Sequence, residues 1–407
     1  MFSRARLDLS VEAARERIYD RVEPLPPIDV PLLQALGRRL PNDIVAPIDL
    51  PPFTNSAMDG IALASALTGN ATALHPTFAR IAGKVDAGEN WAGTVPPGHV
   101  VRIGTGAALP DGCDAVLPAE QVDERDVIVT FASAVPSGQH VRLRGEDVRT
   151  GATVVTSGTT MRPQEIGLLA ALGITTVEAR TRPAVTIVST GPELSRASAP
   201  ALVNDANGPM LAALATTAGA EVVDILQTDG DLEDIFDLLD RCAETSDLVI
   251  TSGGISNSLA DTMADLLESH EQGELWNVRL RPGKHFGFAW FDDLYLLSIP
   301  GNPIAALVGF ELFGRPLIDR LMGKPAGHEI VTATASGPVS GKSGRTDAIR
   351  GKAWRDADGH LLTAPTENRG SSVLSSLPAA NCLILLPEDV AVVEPGQYVS
   401  IQWIGYQ

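Results

Sequence analysis

Residues 247–261 read DLVITSGGISNSLAD: an apolar run, two glycines, small polar residues, then a carboxylate opening the helical pattern ADTMADLLESH. A strand that stops at paired glycines and hands over to a helix is half of a βαβ unit. The neighbouring chain repeats the alternation. AVTIVST (184–190) reads as a strand, NGPMLAALATTAG as a helix ended by Gly219, EVVDILQ as a strand and DLEDIFDLLDRCAE as a helix. Strands around LWNVRLR and DLYLLSIP follow, and PIAALVGFELFGRPLIDRLMG closes the run as one long helix. Continuous apolar strands joined by helices predict a parallel sheet covered on both faces. Ligands of such sheets sit at the carboxyl ends of the strands.

Outward from this core the texture changes. Toward the N-terminus, LSVEAARERIYDRV has Ser10 as N-cap and Val11, Ala14, Ile18 and Val22 on one face, so it reads as an amphipathic helix; LLQALGRRL reads as a second, short one. From 48 to 140, short runs such as ARIAGKV, HVVRIGTG, DAVLPAEQV and DVIVTFASAV are separated by Gly, Pro and Asp and predict a small antiparallel β domain. Residues 141–180 carry a helical EIGLLAALGI and are expected to pack back on the N-terminal helices. Past 326, EIVTATASG, DAIRGKAW, GHLLTAPT, NCLILLP and QYVSIQWI predict a C-terminal β domain or barrel.

Composition sets limits. At 407 residues the chain exceeds one ordinary core, so several domains are expected. A net charge of −19 repels polyanions, which argues against a nucleic-acid surface but leaves room for a small anion held locally. No apolar run approaches the roughly 20 residues of a membrane span, and the N-terminus lacks the apolar core of a signal peptide. Cys113, Cys242 and Cys382 form no metal-ligand spacing. A cytoplasmic protein is the expectation.

Three stretches share one place by topology. STGPELS (189–195), TSGGISNS (251–258) and SIPGNPIAA (298–306) each stand where a strand hands over to a helix, so they should line one crevice. Gly253 and Gly254 would let backbone approach a ligand. Pro303 suits the first turn of the closing helix, whose free N–H groups would face the crevice, and Arg281 and Lys284 flank a Pro-Gly turn as fixed positive charges. The first βα turn carries no GxGxxG and the chain has no P-loop, which removes the common nucleotide folds. Elsewhere, PPFTNSAMDG (51–60) reads as a structured linker or a rigid turn presenting polar groups. RIGTGAALPDGCDAVLPAEQ (102–121) is open to the same two readings, and RLRGEDVRTG (142–151) reads by default as a solvated loop.

PPFTNSAMDG, RIGTGAALPDGCDAV, RGEDV, STGPEL, TSGGIS, RPGKHF and IPGNPIAAL stand in the order and spacing of the MoeA family, which the chain resembles along essentially its whole length. That family comprises the molybdopterin molybdenumtransferases, relatives of the E domains of the plant Cnx enzyme and gephyrin. The resemblance implies a multidomain α/β plus β protein in four parts. These are a discontinuous helical domain (1–47 and 141–180), a β-rich domain (48–140), a MogA-like α/β molybdopterin-binding domain (181–325) and a C-terminal β-barrel (326–407). It implies transfer of molybdate onto adenylylated molybdopterin with release of AMP, dependence on Mg²⁺, and a homodimer with each active site between protomers. Other proteins of molybdenum cofactor biosynthesis are implied as partners; neither nucleic acid nor membrane is.

By motif, the catalytic positions fall on Asp59, Thr105, Asp147, Glu193 and Asp261, with Glu193 and Asp261 on the pterin side as metal ligands. Ser252, Gly253, Gly254, Ser256, Arg281, Lys284, Pro300, Gly301, Asn302 and Pro303 fall in the ligand-binding positions. The chain departs from the family pattern at several of its positions. Ser258 and Leu259 replace a Gly and a carboxylate, Thr54 and Pro192 stand where Asp is common, and Ile61 where Tyr is. His285 replaces a proline and Asn277 occupies a position that can carry Lys; a further acidic position is met by Asp229 or Asp231. An altered paralogue that binds pterin or acts as a scaffold without turnover is the competing expectation.

Overall fold

The structure, a computed structural model, describes residues 6–191, 194, 203–228, 232–255, 262–291, 294–325, 330–367, 370 and 373–404. The chain forms two compact units, Met1–Ile28 with Gly37–Arg39 and Ala179–Gln407, and Asp29–Leu36 with Leu40–Glu178.

The first unit is built on a seven-stranded sheet: β1 (Leu7–Leu9), β2 (Ala184–Thr190), β3 (Glu221–Thr228), β4 (Leu248–Ser252), β5 (Gly273–Val278), β6 (His285–Trp290) and β7 (Tyr295–Ile299). Their spatial order is β1-β5-β6-β7-β4-β2-β3. Every strand runs the same way except β6, which is antiparallel to both neighbours. The expected parallel sheet thus carries one antiparallel strand. The links into and out of β6 cover only residues 279–284 and 291–294, too short for the crossover that a parallel neighbour needs. Across them, Val278 N–H donates to Lys284 O at 2.7 Å and Phe291 N–H to Leu294 O at 2.8 Å.

Alternate residues of the strands bury opposite faces. Val185, Ile187, Leu248 and Ile250 pack with helix α1 (Val11–Arg21) and helix α2 (Asn207–Ala218). Val188, Val249 and Leu296 pack with α3 (Leu232–Ala243) and α4 (Thr262–Ser269). In α3 the buried residues are Ile235, Leu238, Leu239 and Cys242, the one-sided stripe of a sheet-covering helix. Ser10 caps α1 by accepting from Ala13 N–H at 3.1 Å, and α2 ends where Gly219 turns left-handed at φ 98°. Thus β1 and α1 lie in the α/β core with residues 179 onward, whereas 141–178 lie in the second unit.

The closing helix is unbroken from Pro303 to Leu321 but is not α-helical throughout. It runs as α5 (Pro303–Gly309), a π-helical turn (Phe310–Gly314) and α6 (Arg315–Leu321). Pro316 has no N–H to return to the Leu312 carbonyl, and that carbonyl accepts Arg15 Nε from α1 at 2.9 Å instead. Beyond it, Ile330–Ala335, Thr346–Arg355, Leu361–Pro365, Cys382–Leu386 and Tyr398–Trp403 pair in a closed ring, a five-stranded barrel. Leu280–Arg281 pairs in parallel with Thr346 and Asp347, so the turn after β5 also joins the barrel edge.

The second unit holds a six-stranded sheet in the order Ala115–Pro118, Gly60–Leu63, His99–Ile103, Thr77–Val85, Ile128–Phe131 and Asp123–Arg125. Ile61, Leu63, Val100, Val129 and Phe131 form its core. One pair, Thr77–Val85 with His99–Ile103, is parallel, because the intervening residues leave room for the chain to return. The expected second helix shrinks to a 3₁₀ turn, Leu32–Ala35, cut short before Gly37 at φ 76°.

Candidate functional site

The carboxyl ends of β2, β4 and β7 come together as their parallel pairing requires. Gly253 N–H donates to Ile299 O at 3.1 Å, and a side chain at Gly253, whose φ is 107°, would place Cβ 2.3 Å from Thr190 O. A Cβ on Gly301 would lie 3.2 Å from Gly253 Cα. Only glycine permits these backbones to meet, so the end of β2 and the turns after β4 and β7 form one floor. Ser252 is buried within it: its hydroxyl donates to Pro300 O at 3.3 Å and accepts from Asn207 Nδ2 at 2.8 Å. Asn207 Nδ2 also donates to Gly301 O at 2.7 Å, tying the start of α2 to the turns after β4 and β7.

The electrostatics differ from expectation at two points. Asn302 caps α5, its Oδ1 accepting from Ile304 N–H at 3.0 Å and Ala305 N–H at 3.2 Å, while Pro303 has no N–H to offer. The first turn of α5 therefore presents no free donors to a ligand; a side chain consumes them. Arg281, expected as a free positive charge, is bound to the barrel. Its Nε meets Asp347 Oδ1 at 2.5 Å and Nη2 donates to Oδ2 at 2.8 Å, a two-point charged contact on a carboxylate only 1% exposed. Lys284 is exposed and its ammonium has no partner among the described residues, so it is the available cation of the turn. The two family departures His285 and Asn277 stand directly opposite on β6 and β5, and His285 Nδ1 lies 3.0 Å from Asn277 Oδ1.

In the second unit the three stretches read as linker or loop interlock. Ser56 N–H donates to Ala107 O, Leu109 N–H to Thr54 O, Gly145 N–H to Pro51 O and Asp147 N–H to Leu50 O, each at 3.0 or 3.1 Å. Asp59 Oδ1 accepts from Thr105 N–H at 2.6 Å and Thr105 Oγ1 at 2.8 Å. The backbone bond first, then the hydroxyl, holds the Asp59 carboxyl below the usual aspartate range. Asp147 is exposed with its carboxylate unpartnered among the described residues. Asp49 orders the loop instead, accepting from Arg144 Nε at 2.5 Å and Thr150 N–H at 2.8 Å.

Glu193, Ser256 and Asp261 lie outside the described residues, as do Pro192, Asp229, Asp231, Ser258 and Leu259. Among the described residues, the grouping of carboxylate and imidazole atoms close enough to share a metal ion is the exposed turn of Asp356, Asp358 and His360, away from the strand ends. The described part of the crevice thus offers no Mg²⁺ ligand set. Asp205 is engaged, accepting from the N–H groups of Asn207 at 2.9 Å and Gly208 at 3.0 Å. Asn207 and Asp347 were not foreseen. NDANGP (204–209) carries a helix-entry signal that could have drawn attention to Asn207, whereas nothing local links Asp347 to Arg281.

A glycine-lined crevice at the ends of parallel strands, next to a small barrel, defines a multidomain α/β ligand-binding protein. Residues 9–173 match the MoeA N-terminal region (domain I and II), 186–320 the "probable molybdopterin binding domain", and 332–404 the MoeA C-terminal region (domain IV). The chain belongs to the MoeA family. It is 34% identical over 404 residues to molybdopterin molybdenumtransferase 2 of Mycobacterium tuberculosis, covering 96% of this chain and 98% of that one. Identity to the molybdopterin molybdenumtransferase of Haemophilus influenzae is 33%, over 97% of this chain and 98% of the relative. The crystal structure of the molybdopterin biosynthesis MoeA protein of Pyrococcus horikoshii superposes with a TM-score of 0.82 at 26% identity, covering 98% of this chain and all of that one.

Proposed function

We propose that this chain is a molybdopterin molybdenumtransferase of molybdenum cofactor biosynthesis, inserting molybdate into adenylylated molybdopterin with release of AMP. The observation that carries the reading is the floor made by the end of β2 and the turns after β4 and β7, closed by Gly253 against Thr190 and Gly301. It belongs to a chain whose full length matches relatives named for that reaction. Matching along the whole chain also favours turnover over a scaffold that has lost it.

In this reading the glycine floor admits the flat ligand, and Lys284 neutralises a phosphate or molybdate oxygen. Arg281, spent on Asp347, shapes the turn that carries Lys284 rather than meeting the anion. Asp59, with its carboxyl held ionised by Thr105, and Asp147 are the reacting-side candidates of the second unit. Mg²⁺ belongs to the reading as the counter-charge of Glu193 and Asp261, and a homodimer as the working assembly. The finer division into four domains, with 48–140 as a separate β domain, is proposed on the same basis.

The test is incubation of the full chain with adenylylated molybdopterin, Mg²⁺ and molybdate. AMP release dependent on molybdate is expected. Its absence at high protein concentration sinks the catalytic reading.

A further inference from the structure

Asn207 stands at the entrance of α2 and is 8% exposed. Its amide orientation follows from chemistry: Gly301 O can only accept, so the atom 2.7 Å away is the nitrogen. Both protons of Nδ2 are then used, one on Gly301 O and one on Ser252 Oγ. The remaining atom, Oδ1, is buried and has no hydrogen-bond partner among the described residues. Ser189 Oγ, 3.3 Å from where a Cβ on Gly208 would sit, is buried and likewise has no partner among the described residues. The floor of the crevice therefore holds two polar atoms whose hydrogen-bonding capacity is unfilled.

A buried acceptor without a donor is costly, and a folded chain retains one where something else completes it. The completing group must be a donor. Molybdate and a fully ionised phosphate carry only acceptor oxygens and would be repelled by Oδ1. The heterocycle of a pterin carries an amino group and ring N–H donors along one edge. We propose that Asn207 is a specificity-determining residue: Nδ2 locks the floor, and Oδ1 accepts from the amino-bearing edge of the bound pterin. This rests on the molybdopterin reading above but assigns a direction to the ligand. The amino edge lies at α2 and the anionic end lies toward Lys284.

The test compares two ligands by calorimetric titration of the full-length chain: pterin, and lumazine, in which an oxo group replaces the amino group. The unmodified chain is expected to prefer pterin by about tenfold or more, the factor that 1.4 kcal/mol supplies. Asn207→Ala and Asn207→Ser are expected to bring that ratio to within about twofold while molybdate affinity stays within about twofold, because only a donor contact is lost. Ser252→Ala is expected to keep the preference, since Gly301 still holds Nδ2. Equal affinity of the unmodified chain for the two ligands, no measurable pterin binding, or a preference that survives in Asn207→Ala overturns the proposal. The first two of these need no variant to fold. AMP release without pterin preference refutes the role of Asn207 alone; preference without AMP release refutes the transferase reading alone.

Discussion

Asp59 shows how a single exposed carboxylate is tuned by one neighbour. Thr105 gives it a backbone N–H and a hydroxyl, and both bonds favour the ionised form. Because its folded pKa lies below the unfolded one, the contact is fully present above the ordinary aspartate range. It is lost as pH falls through the folded pKa. Thr105→Val removes the hydroxyl and keeps the N–H, so carboxyl NMR titration should show the Asp59 pKa rising part of the way to its ordinary value. An unchanged pKa would mean the hydroxyl contact is not formed in solution. The two residues are 46 positions apart and were singled out separately by motif; their pairing depends on how the 51–60 and 102–109 stretches interlock.

At the scale of elements, the strand-end turns combine what is legible in sequence with what is not. Paired glycines after an apolar strand announce a close approach, and the reason is now visible in Thr190 O at 2.3 Å from a hypothetical Gly253 Cβ. Gly253→Ala should cost about 2 kcal/mol or more, from backbone strain and the displaced β2 turn together, measured by denaturant unfolding. A change below about 0.5 kcal/mol would show that the turns are not in contact. The direction of β6 was hidden because RPGKHF reads well as a ligand turn, and the shortness of its links matters only once β5 and β7 have bounds. The helix after Pro303 reads as continuous because its apolar period hardly breaks, and it runs unbroken to Leu321. A π-helical turn precedes Pro316 within it, and the Leu312 carbonyl that the proline leaves open accepts from Arg15 Nε.

Across the molecule, the α/β unit draws its stability from distant segments. Val11, Ala14 and Ile18 of α1 share one core with Val185, Phe286, Phe313 and, from the barrel, Ala348 and Leu383. Ile18 is fully buried, so Ile18→Ala should destabilise the unit by about 3 kcal/mol in thermal or denaturant unfolding, although it lies outside the matched molybdopterin-binding segment 186–320. A negligible loss would show that α1 is not part of this core. The net charge of −19 is met at the candidate site by a small number of placed groups rather than a basic field. Of the two cations expected there, Arg281 is committed to Asp347 and Lys284 is available.

Sequence alone determined the alternation of strands and helices, the strand-end turns that meet at the crevice, and the closing β run, because periodicity and glycine placement are local consequences of backbone sterics. Which groups are free to meet a ligand was decided only by the tertiary structure. Asn302 consumes the helix donors, Asp347 takes Arg281, and Ser252 and Gly301 turn Asn207 so that its oxygen is left over. Each of these last two pairings joins residues more than 40 positions apart, and a hydrogen bond is specified by geometry that only the packed sheet and barrel supply.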